Sequence, residues 1–307
     1  MSILRIHDVS PYIHAGQWGY KDKINFKFET VYNRSTNSWS QETIQCGGVA
    51  HLMNKIKEYL SDVQVFMLDS EYLIRREKYP NYKSSRPHKE SVELQKLLAA
   101  VMLEDCNINC FKEYGYEADD LIFSYRVLAK KKYDRVIIHT VDHDLAINID
   151  KKTTIQICKS NGAEISTSNY NQFIKANGNL VPYNMIIPFK LVYGDSSDVI
   201  SPATITSRAA YRFLNTVQEN YIAPLRSRKE CVADAIENSV NAEDQQILVD
   251  KLDECYPYEI PLSTDIQYIN LERFNEWGRH LGMYGFGMPA LSSRLMELVQ
   301  EKVLEVA

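Results

Sequence analysis

Cysteine is sparse and unpatterned. Six are scattered through 307 residues, none in a Cys-x-x-Cys pair, with Cys106 and Cys110 the nearest two. A disulfide framework and a structural zinc site are both disfavoured, and reduced thiols are expected. No apolar run approaches the roughly 20 residues that span a bilayer, and Met1–Asp8 carries no signal-peptide pattern. A cytoplasmic protein without membrane attachment is therefore expected. Positive charge is not in excess, since the formal net charge is -5. That excludes a uniformly basic nucleic-acid binder but leaves room for local basic groups. Internal repeats, low-complexity segments and a clear linker are also lacking. What is there is an ordinary globular composition, 45% hydrophobic and 24% charged, long enough for one large domain or two smaller ones.

Strand-like and helix-like runs alternate through the first half. Ile3 to Val9 reads as a buried strand ending on Asp8, and residues 22–33 alternate like an edge strand. Gly47-Gly48 opens a helix with Val49, Leu52, Met53, Ile56 and Leu60 on one face. Residues 63–69 form a strand ending on Asp69. Residues 75–87 are basic, aromatic and interrupted by two prolines, which predicts a surface loop or broken helix. Glu90 to Leu103 is a helix and Ile108 to Phe111 a short strand. A helix over about 117–132, a strand over 135–141 that runs into Asp142-His143-Asp144, and a strand over 153–158 complete the pattern. Such alternation predicts an α/β fold with a mainly parallel central sheet flanked by helices. Beyond about residue 168 the reading turns helical: 170–176, 185–192, 207–217, 231–238, 244–252, 271–281 and 291–303. The division is an α/β core over 1–180, with a basic segment at about 70–105, and a mostly helical subdomain over 181–307.

The chemistry sits in the acids. Glu117, Asp119 and Asp120 open a helix, whose dipole favours negative charge. Asp8, Asp69, Asp142 and Asp144 fall at the carboxyl ends of strands, where ligand sites of open α/β sheets lie. Asp195 and Asp198 add two more. If these acids converge, repulsion is about 4 kcal/mol per pair at 4 Å and an effective dielectric near 20, so the set needs cations. Hard oxygen donors select Mg²⁺ or Mn²⁺ over Zn²⁺. A pair of such ions suits phosphodiester hydrolysis. Taken singly, each acid reads equally well as a solvated loop residue or a helix cap; the joint pattern carries the argument. Arg75, Arg76, Lys78, Lys83, Arg86 and Lys89 flank Tyr79 and Tyr82, which suits phosphate contact and base stacking.

These residues resemble the 5′ nuclease (flap endonuclease) superfamily. Arg75 with Tyr82-Lys83-Ser84-Ser85-Arg86-Pro87 is similar to its R…YKxxRP segment. Gly115–Asp120 resembles G-x-EADD, Thr140–Leu145 resembles S/T-x-D-x-D-L, and Gly194–Asp198 resembles GDxxD. The motifs keep the family order over roughly residues 3–200. The resemblance implies a PIN-like core with two Mg²⁺ ions, for which Mn²⁺ can substitute. It assigns Asp8, Asp69, Glu117, Asp119 and Asp120 to the first and Asp142, Asp144, Asp195 and Asp198 to the second. It gives Lys83, Arg86 and Arg75 to the scissile phosphate, and Arg76, Lys78, Tyr82 and Lys89 to nucleic-acid contact.

One departure stands out. After Asp198 comes Val199-Ile200-Ser201-Pro202-Ala203-Thr204, without the glycine hairpin that grips duplex backbone in most of the family; a backbone-amide nest needs glycine's freedom. Arg208, Arg212, Arg226, Arg228 and Lys229 are alternative duplex contacts. In this the chain is most similar to the ribonuclease H group of T-even-type phages. That likeness implies a monomeric 5′-to-3′ exonuclease and flap endonuclease acting on RNA·DNA hybrid, duplex and flap DNA. Primer removal in an infected bacterial cytoplasm is the implied role. A single-strand-binding protein and a sliding clamp are the partners implied by family. Two other readings stay open: a catalytically silent binder of branched DNA, and a PIN-like endonuclease of single-stranded RNA.

Overall fold

The structure is a computed structural model that describes residues 2–19, 25–33, 38–78, 80, 82–84, 90–158, 163–169, 173–176, 179–182 and 267–283. Its contacts divide the chain into two compact units.

The first unit comprises Ile3–Asp69, His88–Lys112 and Ser263–Ala307. Strand β1, Ile3–Asp8, is followed by helix α1, Ser10–Gly19. The sequence reading had no helix there, although Ser10-Pro11 is a start signal: proline suits a first turn because its missing N–H would be unpaired anyway. Strands β2, Asn25–Asn33, and β3, Ser38–Gln45, form an antiparallel pair with a register break between Glu29 and Val31. Only the first of the two was expected. Helix α2 spans Gly47–Glu58. Val49, Leu52, Met53 and Ile56 are buried as predicted, but Leu60 lies past the helix end and is exposed. Strand β4, Val63–Met67, pairs in parallel with β1, and Asp8 aligns with Met67. Asp8 and Asp69 therefore both stand at the carboxyl end of this strand pair.

Close approach of α1 and α2 depends on glycine. A Cβ on Gly16 would lie 2.3 Å from the Gly47 carbonyl oxygen, so any larger residue there would force the helices apart. Helix α4, Glu90–Asp105, closes the layer, with Gln95 accepting the Gly48 amide at 2.7 Å. In β1, the buried His7 ring stacks on Phe66 at 4.5 Å and meets the Tyr12 hydroxyl at 2.9 Å. Strand β5, Cys110–Phe111, adds to β4 in parallel.

The segment over residues 267–283 returns to this unit. The Asn270 amide donates to the Cys106 carbonyl at 2.8 Å, and Trp277 Nε1 donates to Asp105 at 3.0 Å. Phe274 and Trp277 are fully buried, each contributing about 1.5–3 kcal/mol or more of apolar burial. This is the helix expected over 271–281. The other helices expected between 183 and 266, and that over 291–303, lie outside the described residues.

The second unit comprises Met1–Ser2, Ser70–Pro87 and Glu113–Leu262. The basic segment holds a short helix, α3, Ile74–Lys78. Helix α5, Ala118–Ala129, follows the acid motif and leads to strand β6, Arg135–Thr140. A 3-10 turn over His143–Asn148 connects to β7, Thr153–Ile157, which is parallel to β6. Strand β8, Glu164–Ile165, is antiparallel to β7. Strands β9, Phe173–Ala176, and β10, Asn179–Pro182, form an antiparallel pair. This corrects the helix predicted over 170–176. The residues between the two strands are Asn177-Gly178, the strongest short hairpin signal a sequence carries.

The strands of the first unit follow the order β5-β4-β1, and those of the second β6-β7-β8. The α/β class with a mostly parallel sheet flanked by helices is as the alternation predicts. Among the described residues no helix is long and apolar enough to cross a membrane. Burial pushes the Cys110 thiol up to about 12.

Asp150 ties α5 to β7. Its carboxylate accepts the amides of Lys152 and Thr153 at 2.9 and 2.8 Å, and pairs with Lys130 at 2.6 Å and Arg126 at 3.4 Å. Burial alone would raise this carboxyl, but the Lys130, Lys152 and Arg126 interactions outweigh it and hold it below its ordinary value. A depressed carboxyl stabilises the fold above its unfolded pKa, about 3.9, and loses that contribution as pH falls through the folded value. Asp150→Asn should therefore cost about 1–2 kcal/mol near neutral pH. The difference from wild type should shrink in urea unfolding below about pH 3.

Candidate active site

Gly115 sets the entry to the acid motif. Its φ is +90°, and a Cβ there would lie 2.5 Å from Ile74 Cδ1, so the position needs glycine on both counts. Backbone bonds clasp the flanking segments: Ser70 N donates to Tyr116 O at 3.0 Å and Ile74 N to Gly115 O at 3.1 Å. The Gly115 amide donates to Ser70 Oγ at 3.2 Å. This clasp brings the start of the basic segment beside the start of α5.

Helix α5 begins on Glu117, whose backbone is extended. Asp120 Oδ2 accepts the Glu117 amide at 2.9 Å, satisfying one of the donors a helix start leaves open. The Glu117 carboxylate, 4% exposed, gathers the basic segment instead. It takes charged bonds from Arg75 and Lys83, and the Tyr82 hydroxyl donates to it at 2.9 Å. The other arm of the Arg75 guanidinium reaches Asp120. Burial works against the Arg75 charge, but Asp120 and then Glu117 more than offset it and hold the guanidinium protonated. Burial pushes the Asp120 carboxyl up, Arg75 pulls it part of the way back, and the Glu117 charge adds to the rise. Lys83 has φ +53°, a left-handed backbone that costs a side-chain-bearing residue about 1–2 kcal/mol. Its bond to Glu117 and its place 4.9 Å over the Tyr82 ring accompany that strain.

The predicted site residues divide accordingly. Arg75, Tyr82, Lys83, Glu117 and Asp120 come together. Tyr82, read as a base-stacking side chain, is instead wholly buried, because its hydroxyl is committed to Glu117. Asp119 is half-buried in the first turn of α5. In the same unit Asp142 precedes the 3-10 turn: Thr140 Oγ1 accepts its amide, and its Oδ1 accepts the Asp144 amide, each at 2.9 Å. Asp144 is buried, and Arg76 is exposed. In the first unit Asp8 is buried. Asp69 accepts the Ser10 hydroxyl at 2.7 Å and pairs with Lys96 at 3.5 Å. No spacing rule links Asp69 to Ser10 or Lys96, so neither contact was legible beforehand. Arg86, Lys89, Asp195, Asp198, Arg208 and Arg212 lie outside the described residues, and Lys78 is described only as the end of α3.

Among the described residues no three His, Cys, Asp or Glu side chains are arranged as a metal cluster. The donor type is one that a hard divalent ion takes. It is all carboxylate oxygen, and at Glu117 and Asp120 two side-chain cations already stand where such charge would be neutralised.

Residues 24–176 match the family described as 5′-3′ exonuclease, N-terminal resolvase-like domain. The 5′-3′ exonuclease of Mycoplasma pneumoniae is 30% identical over 125 residues, 40% of this chain and 43% of that one. The chain thus spans less than half the length of this curated relative. The bacteriophage T5 5′-exonuclease with bound zinc shares the fold, with a TM-score of 0.53 at 15% identity over 99% of both chains. The T5 D15 flap endonuclease in a pseudo-enzyme-product complex with DNA and metal ions gives 0.53 at 15%, over 99% of this chain and 98% of that one. Residues 24–176 thus carry a 5′-3′ exonuclease N-terminal domain, in keeping with the resemblance to the 5′ nuclease superfamily.

Removing Arg75 leaves the buried Asp120 carboxylate without its cation and Glu117 with Lys83 and Tyr82. Arg75→Ala should destabilise the metal-free protein by about 3–5 kcal/mol, the scale for breaking one side of a buried ion pair. Denaturant unfolding in EDTA measures it.

Proposed function

We propose that the chain is a divalent-metal-dependent 5′-to-3′ exonuclease and flap endonuclease. Its substrates are RNA·DNA hybrid, duplex and flap DNA, and its role is RNA primer removal in phage lagging-strand replication, in the manner of the T-even-type ribonuclease H. One observation carries the reading: Arg75 and Lys83 of the basic segment meet Glu117 and Asp120 of the acid motif directly. Cations for a phosphate and carboxylates for metal are thus held in one place. The DNA and metal ions of the T5 flap endonuclease complex are consistent with it.

Asp8, Asp69, Glu117, Asp119, Asp120, Asp142, Asp144, Asp195 and Asp198 are the residues that would hold Mg²⁺, with Mn²⁺ as a substitute. The bound metal supplies Lewis acidity and a water of lowered pKa. Lys83, Arg75 and Arg86 neutralise charge on the scissile phosphate, a contribution largest where charge develops in the transition state. In the resting chain Arg75 and Lys83 serve as counter-cations for Glu117 and Asp120, which keeps both sets of charges from standing bare. Arg76, Lys78, Lys89, Arg208 and Arg212 contact the phosphate backbone and give binding its salt dependence. A single-strand-binding protein and a sliding clamp are the proposed partners of a monomer acting in the host cytoplasm.

Cleavage of a 5′-labelled flap and of a primer-type RNA·DNA hybrid tests the proposal. Short 5′ products with Mg²⁺ that vanish with EDTA are expected. Binding without cleavage would instead favour a silent binder of branched DNA. Asp142→Asn should keep the fold, because the amide oxygen can still accept from Asp144, and should lose about 10²-fold or more in turnover. Unchanged turnover would sink the assignment of Asp142 to the metal site. Lys83→Ala should lower kcat by about 10²-fold while changing duplex affinity by less than about threefold. A loss confined to affinity would remove Lys83 from the transition state.

A further inference from the structure

Next to the acid motif, the second unit displays aromatic surface that the assigned site residues leave unused. The rings of Tyr72 and Tyr114 are stacked, with centroids 4.8 Å apart and planes 11° from parallel. Tyr114 is 74% exposed. The backbone beneath them is fixed: Leu73 and Gly115 bridge in parallel, and the bonds from Ser70 and Ile74 to Tyr116 and Gly115 lie on either side. The neighbouring Glu77 pushes the Tyr72 hydroxyl up to about 12. Ile74, 46% exposed, adds apolar surface between the two segments.

A stack of this kind needs a reason. Holding the two segments together is not one, since the backbone bonds and the Ser70 hydroxyl already do so. Large exposed aromatic area on a rigid support is what a flat π ligand requires, because the support has paid its ordering entropy before the ligand arrives. The platform ends three residues before Glu117. Exposed Arg76, four residues on from Tyr72, offers charge for a phosphate at the same segment.

We propose that Tyr72 and Tyr114 form a stacking platform for an unpaired nucleobase in the single-stranded 5′ arm of the substrate. This rests on the nuclease reading above and deepens it, since it provides recognition of an unpaired strand. Base–aromatic stacking tolerates any base, so the platform would bind without sequence preference.

The test is fluorescence anisotropy of the full chain in EDTA, with a 5′-flap duplex bearing a DNA or an RNA arm and a matched flapless duplex. Tyr114→Ala should weaken flap binding by about fivefold or more. Flapless affinity should stay within about twofold, melting temperature should not change, and Tyr114→Phe should bind like wild type. Loss on either arm supports the platform and names the strand it accepts. Unchanged flap affinity in both Tyr114→Ala and Tyr72→Ala, or equal loss on the flapless duplex, overturns it. Wild-type cleavage of the same flap in Mg²⁺ separates the two ideas: cleavage with Tyr114→Ala and Tyr72→Ala both indifferent overturns the platform alone. A wild type that neither binds nor cleaves overturns the nuclease reading with it.

Discussion

A carboxylate without water needs a cation, and Glu117 is nearly without water. Much of the described second unit can be understood from that constraint. Glu117 draws Arg75, Tyr82 and Lys83 out of the basic segment, and Arg75 in turn engages Asp120. The arrangement fixes where that segment begins, why Tyr82 is buried and why Lys83 accepts an unfavourable backbone. Gly115 contributes by absence, since only a residue without a Cβ lets Ile74 lie against the entry to the helix.

The two charge sets are held against each other. A cluster of bare carboxylates would be costly, and so would buried basic side chains without acceptors. Pairing them satisfies both at once and keeps the groups near where phosphodiester chemistry would need them. The residues proposed to act on a phosphate and those proposed to hold metal are therefore also structural partners. A change to either set disturbs stability, so activity losses in this region need a folding control.

How much of this was legible in the sequence depended on which kind of signal each feature left. The acids at strand ends and helix starts were readable because an aspartate closing an apolar run is a local pattern. So were the parallel sheet and the helix around Trp277. The meeting of Arg75 with Glu117 was not readable, because 42 positions separate them and no spacing rule connects them. Tyr82 was misread for a related reason: a tyrosine among cations suits a stacking surface, and only the fold shows its hydroxyl turned inward. Leu60 was counted on a helical face that ends two residues earlier. The strands at 173–176 and 179–182 failed differently, since Asn177-Gly178 was on the page and the helical period was given too much weight. The Tyr72–Tyr114 stack joins two segments far apart in the chain and could be seen only once they were folded together.

Asp120 occupies a narrow position in the space of possible sequences. Its carboxylate serves two masters of different kinds: it accepts the Glu117 amide as a matter of reach, and it balances Arg75 as a matter of charge. Asparagine would keep the reach and lose the charge. Glutamate would keep the charge but would have to fit an extra methylene into a place that is 1% exposed. No other side chain among the twenty offers both, so drift at position 120 is closed from two directions. The start of α5 thus records in its residues more than a helix needs.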